Sequence, residues 1–223
     1  MPSGKPRIAG LYAIADSSYL GAEQFVPAVR AALEGGARVI QYRDKKSQPA
    51  QREAIARALN ALCREHGVPL LINDDVTLAA AVGAAGVHLG RDDPDIGAAR
   101  AALGPAALIG MSCYNELARA QAAQDAGADY VAFGRFFPSR TKPQAVPAAP
   151  DLLRAARAAL KIPIVAIGGI TPENGGSLIE AGADALAVIE GVFNQPDIRV
   201  VAECYARLFI KTLEPRGTRG DDG

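Results

Sequence analysis

The sequence contains no tryptophan, six tyrosines, six phenylalanines, two histidines and three cysteines among 223 residues. So few aromatic side chains require a core built mainly from Ala, Val, Ile and Leu, the composition of parallel strands covered by helices. Cys63, Cys113 and Cys204 are odd in number and widely spaced. They supply neither a disulfide framework nor a zinc site, and the expectation is a reducing cytoplasm. No apolar run approaches the ~20 residues of a membrane-spanning helix. Met1 to Arg7 carry no apolar signal core. Neither sign of charge is in surplus, with 24 Lys and Arg against 24 Asp and Glu. That balance argues against a nucleic-acid partner.

What is present is a repeated phrase: a short apolar run, a polar or Gly-rich loop, an Ala-rich helix and a Gly-containing turn. The runs are Leu11–Ala15, Val39–Tyr42, Leu70–Ile72, Val87–Leu89, Leu108–Ser112, Tyr130–Phe133, Ile164–Ile167 and Ala185–Ile189. They recur about every 25 residues, the length of a βα unit, and most are too short for helices. Ala22–Leu33 and Gln51–Arg64 read as helices, and Thr171-Pro172-Glu173 reads as a capped helix start. Gly35-Gly36-Ala37, Ala84-Ala85-Gly86, Ala126-Gly127-Ala128-Asp129 and Ala181-Gly182-Ala183-Asp184 read as helix exits with a left-handed glycine. Eight βα units predict an α/β fold, a single (β/α)8 TIM barrel. A doubly wound dinucleotide-binding sheet would carry G-x-G-x-x-G after its first strand, and none is there. One domain is expected over residues 1–223, ordered from about 8 to 212, with 213–223 a flexible tail.

Barrel enzymes keep their chemistry at the C-terminal ends of the strands. The second strand ends Gln41-Tyr42-Arg43-Asp44-Lys45. In extended chain Gln41, Arg43 and Lys45 share a side, forming an anion site or else a solvated basic loop. Asp74 and Asp93 top neighbouring strands, and two carboxylates suit a hard cation such as Mg²⁺. Helix capping by Asp75 or Asp93 is the alternative. His88, inside the fourth strand, reads as a hydrogen-bonded core residue rather than a catalyst. Ser112 and Cys113 lack the His–Asp partners of a nucleophile. Phe133 to Gln144 reads as a long loop over the mouth, a candidate lid. Gly168-Gly169 and Ile189-Glu190-Gly191 end the seventh and eighth strands, where backbone N–H groups commonly cradle phosphate; tight turns are the alternative. Two anion sites on one mouth suit the joining of two phosphorylated small molecules, one with a pyrophosphate leaving group.

Gln41–Lys45, Ile72-Asn73-Asp74, Gly86–Gly90, Gly110-Met111-Ser112, Asp129–Gly134, Ser139–Lys142, Ile167–Ile170 and Ala181–Asp184, in this order, resemble the thiamine-phosphate synthase family over nearly the whole chain. The resemblance implies a magnesium-dependent transferase that joins hydroxymethylpyrimidine diphosphate to thiazole phosphate, plain or carboxylated, and releases pyrophosphate. It implies that Asp74 and Asp93 hold Mg²⁺. Gln41, Arg43, Lys45, Asn73, Ser112 and Lys142 would contact the pyrimidine diphosphate, with Arg43, Lys45, Lys142 and Ser112 serving the chemistry. Ser139, Thr141, Gly169, Ile189 and Glu190 would surround the thiazole phosphate. Two departures stand out: Ser139 where the family usually has Thr, and Glu190 where many members have Ser. A thiazole tautomerase-like barrel and a non-catalytic phosphate-ligand sensor are the rival readings. The diphosphate-side residues favour the synthase over both.

Overall fold

The computed structural model describes residues 5–93, 95–138 and 146–211. Its strands are β1 (Gly10–Asp16), β2 (Val39–Arg43), β3 (Leu70–Asn73), β4 (Gly86–Leu89), β5 (Leu108–Tyr114), β6 (Tyr130–Phe133), β7 (Ile164–Ile167) and β8 (Ala185–Val188). They form one closed parallel barrel in sequence order, sealed where Gly10 to Ala13 of β1 pair with Ala185 to Val188 of β8. The expected TIM barrel is therefore what the chain forms.

The outer helices are α1 (Phe25–Glu34), α2 (Pro49–Glu65), α3 (Val76–Val82), α4 (Ile96–Leu103), α5 (Leu117–Asp125), α6 (Pro150–Ala159), α7 (Gly175–Glu180), α8 (Glu190–Phe193) and α9 (Ile198–Lys211). Local chemistry sets several of their ends. Pro49 opens α2, where a missing N–H costs nothing. Asp75 and Asp95 cap α3 and α4 by accepting from the Leu78 and Ala98 amides.

Most boundaries fall within two residues of those read in the sequence, and three differ by more. Ala22–Gln24 form a 3₁₀ turn before α1 begins at Phe25. Thr171 does not start α7: Asn174 takes the Thr171 N–H on Oδ1 and donates to the Gly169 carbonyl, so the helix begins at Gly175. The left-handed glycine ending α3 is Gly83, φ 65°, not Gly86. Gly86 opens β4, and its lack of a side chain has another cause. A Cβ there would lie 1.8 Å from the Leu108 carbonyl oxygen. Gly36, Gly127 and Gly182 do take positive φ at the other three exits.

The period-two alternation of the strands makes two apolar layers. Leu11, Ala13 and Ala15 of β1 face the helices, as do Ile40 and Tyr42 of β2. Tyr12, Ile14, Val39, Leu71, Tyr130 and Val165 fill the barrel interior. Two of the six tyrosines thus lie at the centre of the molecule, beneath the C-terminal rim. No helix of the described residues is long and apolar enough to cross a membrane. The expected tail, 213–223, lies outside the described residues.

Candidate active site

A cavity of about 450 Å³ opens at the C-terminal end of the barrel. Gln41 and Arg43 of β2, Asn73 of β3, His88 of β4 and Ser112 of β5 line one arc of it. Gly169, Ile189 and Glu190 line another. Lys45 and Asp74 stand in an adjoining recess of about 160 Å³, and Asn73 belongs to both. The strand alternation holds at β2. Tyr42 turns outward against Phe25 and its hydroxyl donates to Asp44 Oδ2 at 2.8 Å, while Gln41 and Arg43 turn inward. Lys45, past the strand end, reaches sideways to the recess.

Each cation on this arc already has an acid. Arg43 donates to Oδ2 of the fully buried Asp16 at 2.6 Å, and Lys45 Nζ to Oδ2 of Asp74 at 2.7 Å. Asp16, last residue of β1, escaped the sequence reading. The available signal was an acid closing an apolar strand at the functional end of a barrel.

Asp74 has a positive φ of 63°, a conformation Asp tolerates better than most residues. Its amide is held by the His88 carbonyl at 2.9 Å. Its carboxyl shares a hydrogen bond with that of Asp93, whose Oδ2 also accepts from the Gly90 amide at 2.6 Å. Burial, then the hydrogen bond and charge of Asp74, raise Asp93 above the ordinary carboxyl range against the pull of Gly90 and Lys45. Burial acts on Asp74 in the same direction, but hydrogen bonds from Lys45 and Asp93 outweigh it and hold Asp74 low. Asp93 is therefore the member of the pair that holds its proton longer as pH rises. The capping alternative is resolved too: Asp75 and Asp95 cap helices, and Asp93 does not.

Two carboxyls close enough to share a proton form a donor set that fits a small hard cation. Among the described residues no group of three or more His, Cys, Asp or Glu could hold a metal. The remaining ligands of an octahedral ion would be waters and substrate oxygens, the usual habit of Mg²⁺.

On the far arc, Gly168 and Gly169 have φ of 104° and 63°. A Cβ on Gly169 would lie 2.3 Å from the Pro138 carbonyl oxygen, because residues 134–138 press directly on this turn. Phe136 and Phe137 donate their amides to Ile167 and Gly168, and both rings pack on the outer core. The start of the long loop is thus anchored. Ser139, Thr141 and Lys142 lie outside the described residues, as does the rest of the expected lid.

His88 bonds through Nδ1 to the Tyr130 hydroxyl and through Nε2 to Ser112 Oγ, each at 2.9 Å. The expectation of a hydrogen-bonded histidine holds, and its ring also lines the cavity. Tyr12 and Tyr130 were missed as contributors. Cys113 is buried beside Ser112, its thiol pushed up to about 12, chiefly by burial, which leaves no thiolate for nucleophilic attack.

The sequence profile of the family described as thiamine monophosphate synthase matches residues 11–192. The chain belongs to that family. A thiamine-phosphate synthase of Nitrosococcus oceani is 56% identical over 202 residues, covering 91% of this chain and 93% of the relative. One of Marinobacter nauticus is 54% identical over 204 residues, covering 91% of each. The solved structure of a thiamine phosphate pyrophosphorylase from Pyrococcus furiosus superposes with a TM-score of 0.83 at 35% identity, covering 92% of this chain and 98% of that one. The family match spans every strand, from β1 through β8, and therefore both arcs of the mouth.

Proposed function

We propose that this mouth carries out the thiamine-phosphate synthase reaction, joining hydroxymethylpyrimidine diphosphate to thiazole phosphate. The carrying observation is one rim with two unlike arcs: ion-paired cations and paired carboxyls over β2–β4, and close-packed glycines over β7–β8.

The bond between the pyrimidine methylene and the diphosphate oxygen breaks, and its electron pair leaves with pyrophosphate. The thiazole nitrogen lone pair then forms the new C–N bond. Arg43 and Lys45 face the diphosphate and stabilise the charge growing on it, an effect largest where water is excluded. Lys45 is half exposed and can turn from Asp74 toward a phosphate. Asp16, fully buried, holds Arg43 at the rim without competing for ligand space. Asp74 and Asp93 would hold Mg²⁺, which when bound supplies further neutralisation of the leaving group. Asn73, Gln41 and Ser112 orient the pyrimidine half. Lys142, Ser139 and Thr141 lie outside the described residues; the family resemblance assigns Lys142 to the pyrimidine diphosphate, and Ser139 and Thr141 to the thiazole phosphate with Gly169, Ile189 and Glu190. The three cysteines are free, which supports a reducing cytoplasmic setting.

A two-substrate assay with the product identified by mass tests the reading. Pyrophosphate should appear only with both substrates and Mg²⁺. Asp74→Ala and Asp93→Ala should each raise the magnesium concentration for half-maximal rate by about tenfold or more, equivalent to ~1.4 kcal/mol. Absence of pyrophosphate release from the wild type would favour the tautomerase-like or sensor readings. An unchanged metal requirement in both variants would remove the acids from the metal site.

A further inference from the structure

The interior of the barrel beneath the mouth holds an unbroken chain of polar contacts. Gln41 Nε2 donates to the Tyr12 hydroxyl at 2.6 Å. The Tyr12 and Tyr130 hydroxyls are 2.9 Å apart. Tyr130 meets His88 Nδ1, and His88 Nε2 meets Ser112 Oγ, each at 2.9 Å. Tyr12 and Tyr130 are 1% and 0% exposed, so their hydroxyls can be satisfied only within this chain.

The packing makes room for it. A Cβ on Gly110 would fall 2.0 Å from Tyr130 Cζ and 2.3 Å from its oxygen. Only glycine at that point of β5 lets the phenol cross the interior. The His88 and Tyr130 rings stack at 5.6 Å, and the two tyrosine rings meet edge to face at 6.0 Å. Burial above all holds both phenols well above their ordinary value, so each carries its proton.

With the Gln41 amide nitrogen facing Tyr12, counting protons gives the chain one direction. Tyr12 accepts from Gln41, so its own O–H must go to Tyr130. Tyr130 accepts from Tyr12, so its O–H must go to His88 Nδ1. A ring protonated at Nδ1 would confront that donor with another and leave the Tyr130 proton without an acceptor. Nε2 therefore carries the proton and donates to Ser112, whose own O–H is left for the cavity. At the other end Gln41 Oε1 makes no hydrogen bond among the described residues and is not sealed away.

We propose that Gln41, Tyr12, Tyr130 and His88 form a one-directional relay that fixes His88 as the Nε2–H tautomer, presenting Ser112 to the cavity as a donor and Gln41 as an acceptor. Tyr12 and Tyr130 are positioning residues in this arrangement. One acceptor and one donor held at fixed places match an aminopyrimidine, whose amine donates and whose ring nitrogen accepts. An oxo analogue reverses that pattern. The ligand part of the inference rests on the synthase reading; the tautomer does not.

The test begins with the free protein. The chain has two histidines, and His66, exposed at the end of α2, is assigned away with His66→Gln. In ¹⁵N-histidine spectra at about pH 8.5, above the ordinary imidazole range, His88 should show an unprotonated Nδ1 and a protonated Nε2. Tyr130→Phe should let both tautomers appear. It should also weaken binding of the pyrimidine diphosphate by about tenfold while thiazole phosphate binding stays unchanged, a split that general misfolding would not give. The wild type should reject the oxo analogue by ~10²-fold or more, and the gap should narrow in Tyr130→Phe. An Nδ1–H tautomer in the wild type overturns the relay, with or without synthase activity. If Tyr130→Phe does not fold, Tyr12→Phe applies the same binding test one link further away. Unchanged pyrimidine binding in the foldable variant overturns the relay as well.

Discussion

The acids of the rim share a residue type but not a state, because their donors differ. Asp44 is buried, which alone would raise its pKa. Donors from the Ser47 side chain and backbone, the Lys46 amide and the Tyr42 hydroxyl outweigh burial and draw it down to about 2. A folded-state pKa below the unfolded value means the unfolded chain binds the proton more tightly. The resulting stability is whole above the ordinary value of 3.8 and is lost as pH falls through about 2. Asp44→Asn should therefore flatten the acid limb of stability over that interval, read as the denaturant midpoint against pH. A variant whose midpoint falls as steeply as the wild type would show that Asp44 does not carry this linkage. Asp74 and Asp93 could be matched from sequence because both top adjacent strands of a recognisable barrel. Tyr12 and Tyr130 could not, since their roles depend on partners 29 to 118 residues away.

Between elements, the repeated Gly-Ala-Asp at 127–129 and 182–184 has a function that the sequence did not disclose. The echo was legible as helix exits with left-handed glycines, but the aspartate was not. Asp129 exchanges two hydrogen bonds with Ile109: its amide donates to the Ile109 carbonyl and its Oδ2 accepts the Ile109 amide, each at 2.8 Å. Asp184 does the same with Ile164. Each acid thus extends a strand pairing by one step before its first pair, and each is gripped by an arginine of the helix that precedes the partner strand, Arg100 of α4 or Arg157 of α6. Lys5 and Arg7 of the N-terminal segment bind the same two acids. These contacts occupy the N-terminal end of the barrel, away from the mouth, where they serve stability. Asp184→Ala leaves the Ile164 amide and Arg157 without their carboxylate and should destabilise by about 1–3 kcal/mol. At roughly 2–4 °C per kcal/mol the Tm should fall by several degrees, with turnover per folded molecule unchanged. An unaltered Tm would deny the staple any energetic role. The eight strands were readable because short aliphatic runs fenced by Gly and Pro leave few alternatives. The starts of α1 and α7 were not, because a 3₁₀ turn and the Asn174 side chain displace them.

Barrel closure determines how the two arcs relate. The chain is neutral overall, so attraction of two anions must come from local arrangement rather than from a global field. The β2–β4 arc brings Arg43, Lys45 and a carboxyl pair. The β7–β8 arc brings backbone turns, with Glu190 beside them in the lining of the cavity. If the arcs are separate sites, their ligands stabilise the fold independently. A ligand at a hundred times its Kd contributes about 2.7 kcal/mol, or roughly 5–11 °C of Tm for a chain of this size. Magnesium pyrophosphate and thiazole phosphate should each give such a shift, and together they should add to within ~0.5 kcal/mol, as independent sites do. Lys45→Ala should abolish the pyrophosphate shift and leave the thiazole phosphate shift intact. Competition, with no further shift from the second ligand, would mean that the mouth holds one anion site, and the joining of two phosphorylated partners across it would fail with it.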